Sequence, residues 1–335
     1  MTGECVRRPI GLARLLTVSA LCGFYLAALS VPAAAEDWPA RPIKLIIAAA
    51  AGGPNDLPAR LASQILAPKL GQPVVIEYQP GAGGAIGARA AAHAKPDGYT
   101  LFVGNTSTLA AIPAVSRSAG YDPVKDFVPI AKIAEGFLVL AVNPASPWKT
   151  VKDFVTYAKA NPGKINYANS GRGSLPNLGG EAFMLQTGTK LTGVPYRSGG
   201  ESVVAVLGQA VEATFESNGI VSRLTSSGKL RALAVMNKTR MASIPDVPTI
   251  AEAGYPGAEA NTYFGIVAPA GTPAAIVTRI NTLLNEGLRD PAIRETMTKV
   301  GLTVDPGSPA DFAAFIAAQH KRWVDVGKAA HISID

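Results

Sequence analysis

The stretch Gly52-Gly53-Pro54-Asn55-Asp56 follows the apolar run IKLIIAAAA and leads into the helix-like LPARLASQILAPKLG. A glycine-rich turn between a strand and a helix start offers unpaired N–H groups and partial positive charge to an anion. No Gly-Lys-Ser/Thr follows these glycines, so a carboxylate fits better than a nucleotide phosphate. Asp56 is expected to cap the helix or fix the loop rather than meet the anion. The plain alternative is a tight turn. A second junction of the same kind, NSGRGSLPN, carries Gly171, Arg172, Gly173 and Ser174. Ser174 can cap the following helix or bond an anion. Arg172 adds a fork that pairs bidentately with a carboxylate. Two such junctions could grip one acidic ligand from both sides.

Other candidate chemistry is weaker. GAGGAIG, 81–87, fails the dinucleotide spacing because Ile86 stands where the third glycine belongs. It matches the looser short-chain dehydrogenase pattern, and Tyr121-x-x-x-Lys125 mimics the catalytic pair, but Pro123 interrupts that pair. No Gly-x-Ser-x-Gly elbow is present. His93, His320 and His331 are far apart and lack metal-ligand spacing. Glu212 and Glu216, four apart in a strand-like segment, read as a carboxylate pair or as a strand edge with one solvated charge. No catalytic residue, metal or cofactor is expected.

The N-terminus bounds the compartment. Arg7, Arg8 and Arg14 precede an apolar run, and Ala33-Ala34-Ala35 ends it. That is the pattern of a secretory signal peptide, residues 1–35, cut after Ala35. Cys5 and Cys22 both lie in it, so the mature chain is expected to have no disulfide and no cysteine nucleophile. Removing three arginines and Glu4 lowers the formal charge of +7 to +5. The charges are scattered without a basic run, so nucleic acid is not an expected partner. A mild basic excess suits a small anion.

The elements that must position these loops alternate. IKLIIAAA, PVVIEY and YTLFVGN read as strands, with helix-like segments between them. INYANS, TGVPY, VEATFES and LRALAVM repeat the alternation after residue 138. This predicts a two-domain α/β protein, each domain a mainly parallel sheet flanked by helices. LVLAVNP and YFGIVAP are the expected crossing strands. The expected division is 36–138 plus 267–335 for domain 1 and 139–266 for domain 2.

The chain resembles the Bug receptors, the solute-binding components of tripartite tricarboxylate transporters. The resemblance runs through AAGGPNDLPARLAS, LGQPVVIEYQPGAGGAIGA, KPDGYTLFVGNTST, YAKANPGKINYANSG, VPYRSGGESVVAVLGQ, IPDVPTIAEAGYPG and FGIVAPAGTP. It implies a Venus-flytrap fold, a periplasmic location and a monomer that closes on a small organic carboxylate. Membrane components of the transporter are the implied partners. The loops it assigns to the ligand are Gly52 to Asp56, with Ala49 before them, Ser107-Thr108, Gly171 to Ser174, Tyr196 to Gly199, and Glu216-Ser217.

The chain departs from the family pattern at several of these places. Ala48-Ala49 stands where many relatives have Pro-Phe, Leu109 and Ile112 where they have His and Asn, and Asn177 where a histidine is common. Arg172 aligns with a smaller or neutral residue. More room at Ala49, a more apolar wall at Leu109 and Ile112, and a second cationic contact at Arg172 would suit a longer or aromatic dicarboxylate. The other readings of this fold are a ligand sensor for a signalling partner and a periplasmic α/β enzyme.

Overall fold

The computed structural model describes residues 2–4, 38–241, 244–329 and 331–333. The signal-peptide expectation falls almost wholly outside them. Residues 1–40 form a unit of their own, and every element below lies in the unit 41–335.

In chain order the elements are β1 (Ile43–Ile47), α1 (Asp56–Leu70), β2 (Val74–Tyr78), α2 (Ala85–Ala92) and β3 (Thr100–Asn105). A helical segment, 107–115, precedes β4 (Phe127–Val142). Then come α3 (Val151–Ala160), β5 (Asn166–Asn169), α4 (Leu175–Thr187), β6 (Thr192–Pro195), α5 (Gly199–Leu207), β7 (Ala213–Ser217), α6 (Asn218–Ser226) and β8 (Arg231–Val235). β9 (Asn261–Pro269), α7 (Ala274–Gly287), α8 (Pro291–Lys299), β10 (Thr303–Val304) and α9 (Pro309–Ala329) complete the unit.

The strands form one curled sheet in the order β2-β1-β3-β9-β4-β7-β5-β6, with β10 and β8 also pairing β4. Each end is parallel: β1 pairs β2 and β3, and β5 pairs β6 and β7. The returning strands β4 and β9 add antiparallel pairs at the centre. That combination makes the sheet mixed. A chain that leaves one half and comes back must reverse direction, so crossing strands cannot all join a parallel sheet.

Sequence explains the local choices. β1 is buried on both faces except at Lys44, as a strand covered by helices on each side should be. α1 buries Leu61, Ile65 and Leu70 and stops at Gly71, whose φ of 68° closes the helix. β4 is long enough for two roles. Its first part, to Phe137, pairs β9, and from Leu138 it pairs β7. Its register against β9 shifts between Pro129 and Ala131, where proline lacks the N–H a ladder needs.

Two apolar clusters lie over the two halves. Ile46, Phe102, Leu109, Tyr263 and Phe312 gather on the β1–β3 side. Val139, Ala168, Val206 and Val235 gather on the β5–β8 side. The last helices return to the first half. Lys69 of α1 reaches Glu286 of α7 at 2.7 Å, and His320 of α9 bonds the Ala110 carbonyl.

Candidate functional site

A cavity of about 60 Å³ lies where the two halves of the sheet meet. A water needs about 10–15 Å³ on this scale, so the space takes a few small polar groups. The β1–β3 side contributes Ala48 to Ala50, Gly53 to Asn55, Gly83, Asn105 and Ser107. The β5–β7 side contributes Ser170, Leu175, Arg197, Ser198, Gly199, Glu216 and Ser217.

The loop after β1 is held by its own side chains. Asp56 Oδ2 accepts the Gly52 N–H at 3.1 Å and Arg60 Nε at 3.1 Å, and Tyr78 Oη donates to Oδ1 at 2.8 Å. Partial burial pushes the Asp56 carboxyl up. Hydrogen bonds from Tyr78, Arg60 and the Gly52 N–H outweigh it and hold the carboxyl below its ordinary value. The Gly53 N–H donates to the Ala50 carbonyl. The two glycines therefore spend their N–H groups inside the loop, on Asp56 and on the Ala50 carbonyl, instead of baring them. Gly53, Pro54 and Asn55 still line the cavity, while Gly52 and Asp56 stand behind it.

Asn55 is buried and fixed from below. Its Nδ2 donates to the Val103 carbonyl at 2.8 Å, and its Oδ1 accepts from Asn105 Nδ2 at 2.7 Å. Thr108 is engaged with Asn105 through N and Oγ1 and does not reach the cavity. Ser107 Oγ accepts the Leu175 N–H at 2.9 Å, a bond from the first half to the helix start of the second. Its own hydroxyl proton remains to face a ligand.

The second loop is likewise self-satisfied. The Gly171 N–H donates to Asn169 Oδ1, the Gly173 N–H to Asn177 Oδ1, and Ser174 Oγ to the Gly171 carbonyl at 2.6 Å. Asn177 Nδ2 also reaches Tyr167 Oη at 3.1 Å. Gly171, Gly173, Ser174 and Asn177 thus build the cap of α4, and Ser170, Leu175 and Pro176 face the inner cavity. Gly171 and Arg172 line a wider outer cavity of about 620 Å³ with Tyr196, Arg89 and Ile112. Arg197 lines both cavities.

Sequence reasoning placed its cation on Arg172, and the structure brings Arg197 to the inner space. The signal was present in Ser198-Gly199-Gly200-Glu201, a capping-box spacing. Ser198 Oγ accepts the Glu201 N–H, and Glu201 Oε2 accepts the Arg197 N–H at 3.2 Å. The start of α5, with its positive dipole end, therefore points its first turn at the cavity. Of the expected apolar wall, Leu109 sits in the core and Ile112 lines only the outer cavity. Ala49 lines the inner one.

Glu216 is 2% exposed at the cavity wall. Its Oε1 accepts the Ser217 N–H at 2.8 Å, and its Oε2 has no hydrogen-bond partner. Burial pushes its carboxyl up to about 7, against the Ser217 N–H. Glu212 lies elsewhere, accepting from the Asn166 backbone and side chain. The two glutamates do not form a pair. Among the described residues no group of three or more His, Cys, Asp or Glu could hold a metal.

The α/β fold thus carries a cavity lined from both halves of its sheet, and solved structures that superpose on it include the periplasmic binding protein BugD, with a TM-score of 0.83 at 32% identity, covering 88% of this chain and 99% of that one. The profile of the tripartite tricarboxylate transporter family receptor matches residues 59–331. The protein BugT of Bordetella pertussis is 36% identical over 320 residues, covering 95% of this chain and 97% of BugT. The structure of R. palustris Rpa4515 with adipate superposes with a TM-score of 0.84 at 34% identity, covering 88% of this chain and 99% of that one. That of MatC from Rhodopseudomonas palustris with bound malate gives 0.82 at 32% identity, covering 86% and 99%. The chain belongs to the tripartite tricarboxylate transporter receptor family. Members of this family are substrate-binding receptors that take small carboxylates, not enzymes. No helix among the described residues is long and apolar enough to cross a membrane.

Proposed function

We propose that this chain captures a small organic dicarboxylate and delivers it to the membrane components of a tripartite tricarboxylate transporter. The carrying observation is that Ser107 from one half and Arg197, Ser198 and Gly199 at the start of α5 from the other line one cavity. One carboxylate sits against the α5 first turn. A longer acid extends its second carboxylate into the outer cavity, toward Arg172. Similar proteins hold adipate and malate, which supports the dicarboxylate class for this one.

Closure brings the halves together around the ligand, driven by tighter binding in the closed state. The two closing domains are 36–138 plus 267–335 and 139–266; the pairing of β9 with β3 supports the return of the chain to the first of them. Export uses the signal peptide of residues 1–35.

Thermal melting against succinate, adipate, malate, citrate and terephthalate tests the proposal. Ligand at about a hundred times its dissociation constant adds roughly 2.7 kcal/mol, which moves the midpoint visibly. A midpoint that no carboxylate moves, in protein first unfolded and refolded to strip any bound acid, removes it.

A further inference from the structure

The cavity that takes the ligand carboxylate also contains a carboxyl of its own. Glu216 lines it from β7, buried, with Oε1 occupied by the Ser217 N–H and Oε2 without a partner. Ser217 Oγ, beside it, is also buried and without a partner. Oε2 lies against Gly199, at the first turn of α5, where a methyl group on Gly199 would come within 2.8 Å of it. An ionised Glu216 would put an unpartnered negative oxygen in the wall of the cavity that takes a ligand carboxylate, which is repulsive. A neutral Glu216 removes that conflict. Because Oε1 is already an acceptor, the proton belongs on Oε2, and Oε2 becomes an unspent donor in the cavity wall, packed against Gly199.

Among the described residues, the surroundings of Glu216 bring no cation within hydrogen-bonding reach of its Oε2. β4 faces it with Val139, its register partner, and α6 packs Ile220 on the same Gly199. α5 contributes Gly199 at the contact and Glu201 behind, whose carboxylate is spent on the Arg197 N–H. Arg197 also lines the cavity, and Oε2 of Glu216 has no hydrogen bond from it. Asp56, from the other half, is tied to Gly52, Arg60 and Tyr78.

Resting on the dicarboxylate reading above, we infer that Glu216 recognises the ligand as a neutral acid, donating its Oε2 proton to a ligand carboxylate, so that binding takes up a proton from alkaline solution. The burial that pushes this carboxyl up to about 7 supplies the neutral form at the pH where it is needed. A proton moves from solvent to Oε2, and no bond in the ligand changes.

Calorimetric titration of the protein with succinate, adipate and malate at pH 6.5 and 8.5 tests the inference. These acids are mostly dianionic across that range, since carboxyls titrate below neutrality. The dissociation constant of the tightest acid is expected to weaken roughly 20-fold between the two pH values, by proton linkage. Titrations at pH 8 in two buffers of different ionisation heat should show net proton uptake, a readout that needs no variant. Glu216→Gln keeps a permanent donor and should bind with an affinity independent of pH. A wild-type affinity that is flat or tightens with rising pH overturns the inference, as does a Glu216→Gln protein with wild-type pH dependence. Tightening would instead point to a ligand hydroxyl or ammonium group donating to an ionised Glu216. If no acid binds at either pH, the dicarboxylate reading itself fails; binding that ignores pH removes only the role of Glu216.

Discussion

Glu216→Gln should stabilise the ligand-free protein at alkaline pH and leave it unchanged in acid. The unfolded carboxyl titrates near 4.5 and the folded one near 7. The folded state therefore binds the extra proton between those values, and stability falls as pH rises through that window. Below about 4.5 both states are protonated and nothing is lost. Above about 7 the folded protein carries a buried carboxylate without a partner at Oε2. At about 1.4 kcal/mol per pH unit the full penalty is roughly 3 kcal/mol. Glutamine copies the neutral acid in shape and removes the ionisation. Urea unfolding of wild type and variant at pH 4.5 and 8.5 measures the difference directly, and other titrating groups cancel in it. The variant should be equal to wild type at pH 4.5 and ahead by a few kcal/mol at pH 8.5, about 5 °C or more in Tm for a chain of this size. Equal stability at both pH values would refute the argument that burial, rather than a hidden partner, sets the state of this group.

Asp56→Ala removes three contacts from the β1–α1 loop and should cost roughly 2–3 kcal/mol, read from denaturant midpoints. Because the Asp56 carboxyl is held below its ordinary value, its contribution is present above about pH 4 and is lost as pH falls through the lowered value. Gly171 has φ of 112°, and a Cβ there would meet Gly83 backbone at 3.2 Å across the halves. Gly171→Ala should therefore weaken ligand binding about tenfold, through roughly 1–2 kcal/mol of backbone strain and a pried contact, and titration calorimetry measures that. Arg197→Ala should weaken every carboxylate at least tenfold, the loss of one charge-assisted contact. Arg172→Ala should spare malate and weaken adipate, and an adipate affinity unchanged from wild type would show that the outer cavity takes no part.

The sequence by itself determined the class and most of the elements. Apolar runs bounded by glycine and proline set β1, β2 and β3, and the spacing of Leu61 and Ile65 set α1, because burial on one face imposes a period on the chain. The motif stretches marked the loops that come together: Gly53 to Asn55, Ser107 and Glu216-Ser217 all line the cavity. Tertiary structure decided how those loops are used. Whether a glycine N–H faces a ligand depends on competing acceptors, and Asp56, Asn169 and Asn177 took the N–H groups of Gly52, Gly171 and Gly173. Capping-box spacing marked the helix start after Arg197, but which arginine reaches the inner space depends on how the two halves of the sheet meet, which that spacing does not encode. So Arg197 lines the inner cavity and Arg172 the outer one. The state of Glu216 was the least legible. A glutamate in VEATFES reads as an edge charge until β4, α5 and α6 close over it, and only that burial turns it from a solvated anion into a proton carrier at the ligand.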